Sequence, residues 1–181
     1  PIAMLWGFND WKFGFTTDYL PEYRCVFAPR KFMGILAAFA LFKIKVKPSV
    51  FVFWGYTDSR HLRICAKLLG VSIIRVEDAF IRSAELGASH STPYSLVFDK
   101  TGLYYDARKP SDMENILNNY DFNKNNDLIA NAEKNIKTII DLSLSKYNPS
   151  ELNQTSLIGK TKTRKRIAVL GQVDSDASIR F

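Results

Sequence analysis

Two short strings hold most of the side chains able to take part in chemistry. The first is Arg75-Val76-Glu77-Asp78-Ala79-Phe80-Ile81-Arg82-Ser83. Two adjacent carboxylates between two arginines suit proton transfer, or the binding of a polar substrate that itself carries a carboxylate or phosphate. A helix start with local ion pairs would use the same residues. The second string is Gly171-Gln172-Val173-Asp174-Ser175-Asp176-Ala177-Ser178-Ile179-Arg180. Its carboxylates sit among small residues in a turn, where one can act as nucleophile at an anomeric carbon or stabilise positive charge on a sugar. Clustered carboxylates equally suit magnesium, and a helix-capping turn uses them too.

A third string, Tyr104-Tyr105-Asp106-Ala107-Arg108-Lys109-Pro110-Ser111, reads as two packing tyrosines and a local Asp106–Arg108 pair. His61 falls on a polar helix face and His90 in a loop, neither with a metal-ligand partner at useful spacing. No GxGxxG, P-loop, GxSxG or HExxH pattern occurs.

The elements that must position these residues are legible from periodicity. Val50 to Gly55 reads as a buried strand and turn, Asp58 to Leu69 as an amphipathic helix ended by Gly70, and Val71 to Val76 as a second buried strand. That order is the unit of a parallel, doubly wound sheet, whose ligands collect at the carboxyl ends of its strands. Ser95 to Phe98 and Leu103 to Tyr105 flank Asp99-Lys100-Thr101-Gly102, a hairpin signal. Ser111 with Glu114 forms a capping box for a helix reaching about Tyr120, and a longer helix spans about Asn126 to Lys146, ended by Pro149.

Phe32 to Phe42 is an uncharged apolar run of eleven residues between clusters of Lys and Arg. It falls short of the ~20 residues of a membrane span, and fits either a buried helix or one lying on an anionic membrane. Residues 149–166 lack periodicity and end in a basic string, which reads as a solvated linker because no aromatic residues are interleaved for base stacking. Ile167 to Leu170 then starts a fresh strand. The expected division is a domain over 1–148, a linker over 149–166 and the first strand and turn of a second domain over 167–181. Both ends read as cut within a longer protein, and no cleavable leader is legible.

Of 181 residues, 46% are hydrophobic and 24% charged, so a packed core is expected and intrinsic disorder excluded. The net charge of +7 favours anionic partners without choosing among them. Cys25 and Cys65 have neither disulfide-framework nor zinc spacing, which points to a reducing compartment.

Taken together, the strings resemble the bacterial capsule polysaccharide β-Kdo glycosyltransferases. The resemblance rests on Phe53-Trp54-Gly55, Arg75 to Ser83, Pro93 to Val97, Gly102 to Asp106, Pro110-Ser111 and Leu144-Ser145-Lys146-Tyr147-Asn148, in that order. Gln172 to Ile179 matches the family's Gln-x-x-x-Asp-x-Ser motif. One departure is Ala79, where the family usually has glycine.

The resemblance implies an α/β fold, the Rossmann-like N-terminal half of a GT-B-like enzyme. It implies transfer of Kdo from CMP-β-Kdo, with retention, to a lipid-linked acceptor at the cytoplasmic face of the inner membrane. Asp176 matches the nucleophile, and Glu77 and Asp78 match the acidic motif across the cleft. Gln172 and Ser178 fall within the same motif as expected substrate contacts. From charge and position, Arg75 and Arg82 are expected to hold the sugar carboxylate. No metal or cofactor is required by this chemistry, and no nucleic-acid partner is expected. The family's nucleotide-binding His-Pro motif lies beyond residue 181, so these residues alone are expected neither to bind CMP tightly nor to turn over. The competing class is a non-catalytic export or scaffold subunit that binds acidic polysaccharide through its charge.

Overall fold

A computed structural model describes residues 1–28, 47–85 and 90–148, with the single positions Ile167, Val169, Gly171 and Ile179. The apolar run at 32–42, the linker over 149–166 and, apart from Gly171 and Ile179, the second string, including Gln172, Asp176 and Ser178, therefore lie outside the described residues.

Five strands form one sheet: β1 (Ile2–Trp6), β2 (Arg24–Phe27), β3 (Val50–Trp54), β4 (Ser72–Asp78) and β5 (Leu96–Asp99), in the order β2-β1-β3-β4-β5. The first four run parallel, and β5 is antiparallel to β4. Near-continuous apolar runs such as Val50-Phe51-Val52-Phe53 suit strands covered on both faces. Alternation divides them: Leu5, Val52, Ile74 and Val76 pack on one face, and Met4, Phe51, Phe53 and Val71 on the other. The second face is covered by helix α2 (Arg60–Leu69) through Leu62 and Ala66. Ser59 caps α2 by accepting from the Leu62 N–H, and Gly70 ends it at φ +62°, a left-handed conformation that costs glycine least. Helix α1 (Phe13–Asp18) follows a 3₁₀ turn at Asp10–Lys12, and Phe13 packs on the first face.

Helix α3 (Asp112–Asn119) begins at the predicted Ser111 cap, and α4 spans Asn126–Asp141, five residues shorter than the predicted reach to Lys146. The predicted apolar stripe of α4 is present, but Leu128, Ile136 and Ile140 are exposed among the described residues. The predicted hairpin does not form. Leu96–Asp99 pairs with β4 instead, and Leu103–Tyr105 is not a strand. The Asp99 carboxylate accepts the N–H groups of Thr101 (2.8 Å), Gly102 (2.6 Å) and Asp112 (2.9 Å), which turns the chain off the sheet and starts α3.

Candidate active site

In this strand order the chain reverses between β1 and β3, the usual position of a ligand crevice. Gly7, at φ +77°, has no side chain, and Thr57 packs where its Cβ would lie, with the Thr57 hydroxyl donating to the Trp6 carbonyl at 3.4 Å. The acidic pair lies one strand further, at the carboxyl end of β4.

Four sequence-distant strings converge there. Glu77 and Asp78 close β4 opposite Val97 and Leu96 of β5. The loop that follows is pinned by the 144–148 segment: Arg82 and Ser83 donate backbone N–H groups to the Lys146 carbonyl, Asn148 donates to Ser83, and Ser83 pairs with Tyr147. Ser95 bonds the Ile81 carbonyl through its hydroxyl. From the 103–106 turn, Tyr104 donates its hydroxyl to the Asp78 carbonyl at 3.0 Å. Ala79 has a negative φ, since the positive-φ non-glycine positions among the described residues are His90 and Ser143. Alanine therefore fits where the family usually has glycine.

Glu77 is half-buried against Gly55. A Cβ on Gly55 would stand 3.4 Å from Glu77 Oε2 and 3.6 Å from the Tyr105 hydroxyl, so the missing side chain leaves room for both groups. Glu77 Oε1 accepts the Asp78 N–H at 3.0 Å. Burial pushes the Glu77 carboxyl above its ordinary range, partly opposed by that hydrogen bond and by the charges of Lys12 and Lys146. Burial likewise raises the Tyr105 phenol, with Glu77 adding to the effect, and raises Tyr56 to about 12. A protonatable carboxyl thus sits close to the Tyr105 phenol, an arrangement suited to receiving or giving one proton.

The two arginines are deeper than their sequence position suggests. Arg75 is 7% exposed and reaches Asp58 at 2.9 Å, sharing that carboxylate with Arg63 at 3.0 Å. Its guanidinium stands 5.1 Å from the Tyr56 ring centroid. Arg82 is 1% exposed, places Nε 2.8 Å from Asp78 Oδ2, and donates to Ser83 Oγ and to Ser91. Asp78 Oδ1 has no hydrogen-bond partner among the described residues. Both guanidinia are therefore engaged by protein carboxylates.

Sequence reasoning missed Lys12. It is 8% exposed, with Nζ 3.0 Å from the Trp54 ring centroid and 5.3 Å from that of Trp11. Nothing local marks it, because its Trp54 partner is brought to it from the end of β3. Asp58 and Tyr56 were also missed, although both follow the Trp54-Gly55 strand end, where ligand-facing residues are expected. Among the described residues no group of three or more His, Cys, Asp or Glu is arranged to hold a metal ion. No described helix is long and apolar enough to cross a membrane.

The family model described as "Capsule polysaccharide biosynthesis protein" matches residues 49–177. The chain is 33% identical over 181 residues to the lipopolysaccharide-processing protein LpsZ of Rhizobium meliloti, covering 99% of this chain and 40% of that protein. It is 36% identical over 128 residues to the capsule polysaccharide modification protein LipA of Neisseria meningitidis serogroup B, covering 71% and 17%. Two solved structures of Thermosulfurimonas dismutans KpsC are similar at 27% identity. The β-Kdo 2,4 transferase has a TM-score of 0.72 over 99% of this chain and 51% of its own. The β-Kdo 2,7 transferase has a TM-score of 0.61 over 100% and 52%. The chain thus spans about half or less of the length of each relative. With the acidic motif and the strings that surround it brought together on such a sheet, and the family match running through them, the chain belongs to the capsule polysaccharide biosynthesis protein family.

Proposed function

We propose that these residues form part of a retaining β-Kdo glycosyltransferase that uses CMP-β-Kdo and a lipid-linked saccharide acceptor in capsule assembly. The observation that carries this reading is the half-buried Glu77 beside Asp78 at the end of a parallel strand, in a chain similar to two β-Kdo transferases. In the proposed first step the Asp176 carboxylate attacks the anomeric carbon of Kdo, the bond to the phosphate oxygen breaks, and CMP leaves with the bonding electrons. In the second, an acceptor hydroxyl attacks the same carbon, its proton passes to Glu77, and Asp176 is released. No cation is needed to bridge a diphosphate, because the leaving group is a monophosphate.

Arg82 acts in this scheme through Asp78, which it holds at 2.8 Å, and Arg75 through Asp58. Both are positioning residues, and Gln172 and Ser178 are the proposed substrate contacts beside Asp176. The enzyme would work on the cytoplasmic side, peripheral to the inner membrane, where the net charge of +7 on these residues favours anionic lipid.

The test uses the full natural chain with CMP-β-Kdo and a lipid-linked acceptor. Native protein is expected to form product and to carry a transient added Kdo mass, both absent from Asp176→Asn. Glu77→Gln should lower transfer by about 10² or more, the range of general acid–base assistance. Full transfer by both variants would remove the mechanism. No transfer by native protein, with salt-sensitive binding of acidic polysaccharide, would favour a scaffold subunit.

A further inference from the structure

Among the described residues Lys12 is the one buried lysine, 8% exposed, and the proposed mechanism gives it no part. Taking an ammonium out of water is costly unless its surroundings offset the loss. The seat of Lys12 is built from the residues on both sides of it. The Lys12 N–H donates to the Asn9 carbonyl at 2.8 Å, closing the 3₁₀ turn, and the Thr16 hydroxyl donates to the Lys12 carbonyl at 2.5 Å. Phe13 stacks on Phe27 at 3.9 Å and Trp11 packs on Phe15 at 5.7 Å, so both neighbours of Lys12 are held. The ammonium then lies over Trp54, whose ring meets Phe8 edge to face at 5.4 Å. Of the aromatic side chains, an indole holds a cation best, and more firmly where water is excluded.

That seat adjoins the acidic pair. Trp54 is followed by Gly55, whose N–H donates to the Val76 carbonyl at 2.9 Å and whose missing side chain leaves room for Glu77 Oε2. Two consecutive residues at the end of β3 thus serve the two charges, Trp54 seating the ammonium and Gly55 admitting the carboxylate. The charged and titratable groups around Glu77 come from four places. They are Asp78 on its own strand, Tyr105 in the 103–106 turn, Lys146 in the 144–148 segment and Lys12 in the 3₁₀ turn, while Val97, opposite on β5, carries no charge. Burial and Asp78 favour the protonated carboxyl, whereas the Asp78 N–H, Lys12 and Lys146 favour the ionised one. The two lysines differ in kind. Lys146 is exposed, with Nζ 5.9 Å from the Tyr147 ring centroid, so salt screens it; Lys12 is buried and is screened far less.

We infer that Lys12 is a positioning residue for proton transfer: held on Trp54, its ammonium keeps the Glu77 carboxyl in the form that takes a proton from the acceptor hydroxyl. In this role Lys12 acts through Glu77 and needs no contact with donor or acceptor. The inference rests on the transferase reading for the source of the proton, but the link between the two residues is read without turnover.

In the full natural chain labelled with ¹³C at the glutamate side-chain carboxyls, the Glu77 signal is assigned by its loss in Glu77→Gln. Its titration is followed in native protein, Lys12→Met and Lys12→Arg at about 0.5 M salt, where exposed charges are screened. Methionine keeps an unbranched side chain against Trp54, and arginine keeps a cation there. Lys12→Met is expected to move the Glu77 titration to higher pH, and Lys12→Arg to hold it near the native position. Transfer from CMP-β-Kdo by Lys12→Met should fall roughly tenfold below about pH 6, the effect of one charge in a partly buried site, and approach the native rate as pH rises. A loss of structure alone would lower transfer at every pH. Trp54→Phe, a weaker seat, is the second variant and should shift the titration the same way by less. An unmoved Glu77 titration in Lys12→Met, or in Trp54→Phe if Lys12→Met does not fold, overturns the inference, as does an equal upward shift in Lys12→Met and Lys12→Arg. A moved titration with an unmoved pH profile of transfer overturns Glu77 as the base and leaves the hold of Lys12 on Glu77 standing.

Discussion

Arg82 Nε stands 2.8 Å from Asp78 Oδ2, and the arginine is 1% exposed. Its Nη1 continues to Ser83 Oγ at 2.7 Å and to the Ser91 carbonyl at 3.1 Å, so one guanidinium ties the end of β4 to the loop beyond it. A charge this far from water is tolerated because a carboxylate and several oxygens surround it. The same contacts fix where Asp78, and therefore Glu77, can point.

Arg82→Met removes the cation and leaves Asp78 partly buried without its counter-charge. Breaking one side of a buried pair costs about 3–5 kcal/mol, and the 19% exposure of the Asp78 side chain argues for the lower end. A fall of roughly 3 kcal/mol in chemical-denaturation stability is expected. Arg82→Lys should recover little of it, because a single ammonium cannot reach Asp78, Ser83 and Ser91 together. A loss below about 0.5 kcal/mol, the usual scale of a surface change, would show that the pair does not hold the loop.

Glu77 is expected to trade stability against function. Its folded-state carboxyl titrates above the unfolded value, chiefly through burial, so the stability linked to its proton is complete below about pH 4.3 and is lost as pH rises through the folded value. At pH 8 the native protein therefore keeps an ionised group in a site that disfavours it. Glu77→Gln should melt higher than native protein at pH 8, with the gap closing towards pH 4, while transfer falls. A variant that melts lower at pH 8 would mean that the charge is stabilising, with Lys12 and Lys146 outweighing burial.

The core of the fold was legible because each element carried its own signal. Val50 to Trp54 is apolar throughout, α2 has a polar face and Gly70 at its end, and Ser111 caps α3 as the spacing requires. The hairpin was not legible, since Leu103-Tyr104-Tyr105 looks like a strand until the Asp99 carboxylate takes the N–H groups of the turn. The Glu77-Asp78 pair was visible as chemistry, but the destination of its neighbouring arginines was not. Arg82 bonds four residues back, whereas Arg75 finds Asp58 from the loop after β3, a contact made only once β3 and β4 pair. Lys12, in the 3₁₀ turn before α1, is the extreme case, because its Trp54 partner ends β3.

Gly55 supplies a test of the space around Glu77. It holds φ +57°, and its absent Cβ would lie 3.4 Å from Glu77 Oε2. Gly55→Ala combines a left-handed alanine, about 1–2 kcal/mol, with pressure on the carboxylate. The expected result is that loss of stability together with slower transfer, whereas Gly14→Ala, where a Cβ meets nothing within 4 Å, should leave transfer unchanged. Equal transfer by native protein and Gly55→Ala would separate the position of Glu77 from the rate.

Asp106 should govern the acid limb of stability. The hydrogen bonds from Arg108, at 2.8 Å and 3.1 Å, hold its carboxyl well below the usual range, and the Tyr56 hydroxyl adds to this against the opposing effect of burial. A carboxyl whose folded value is depressed contributes stability that is complete above its unfolded value, about 3.9, and is lost as pH falls towards the folded one. Asp106→Asn keeps the shape of the side chain and removes the titration. The variant should therefore be less stable than native protein at pH 7, with the difference shrinking below about pH 4, as read by thermal melts across pH. Because the groups acting on the Glu77 carboxyl are Asp78, Lys12 and Lys146 and not Asp106, the same variant should leave the pH dependence of transfer in place. A shift in that pH profile as large as the one produced at Glu77 would instead make Asp106 part of the proton-transfer system.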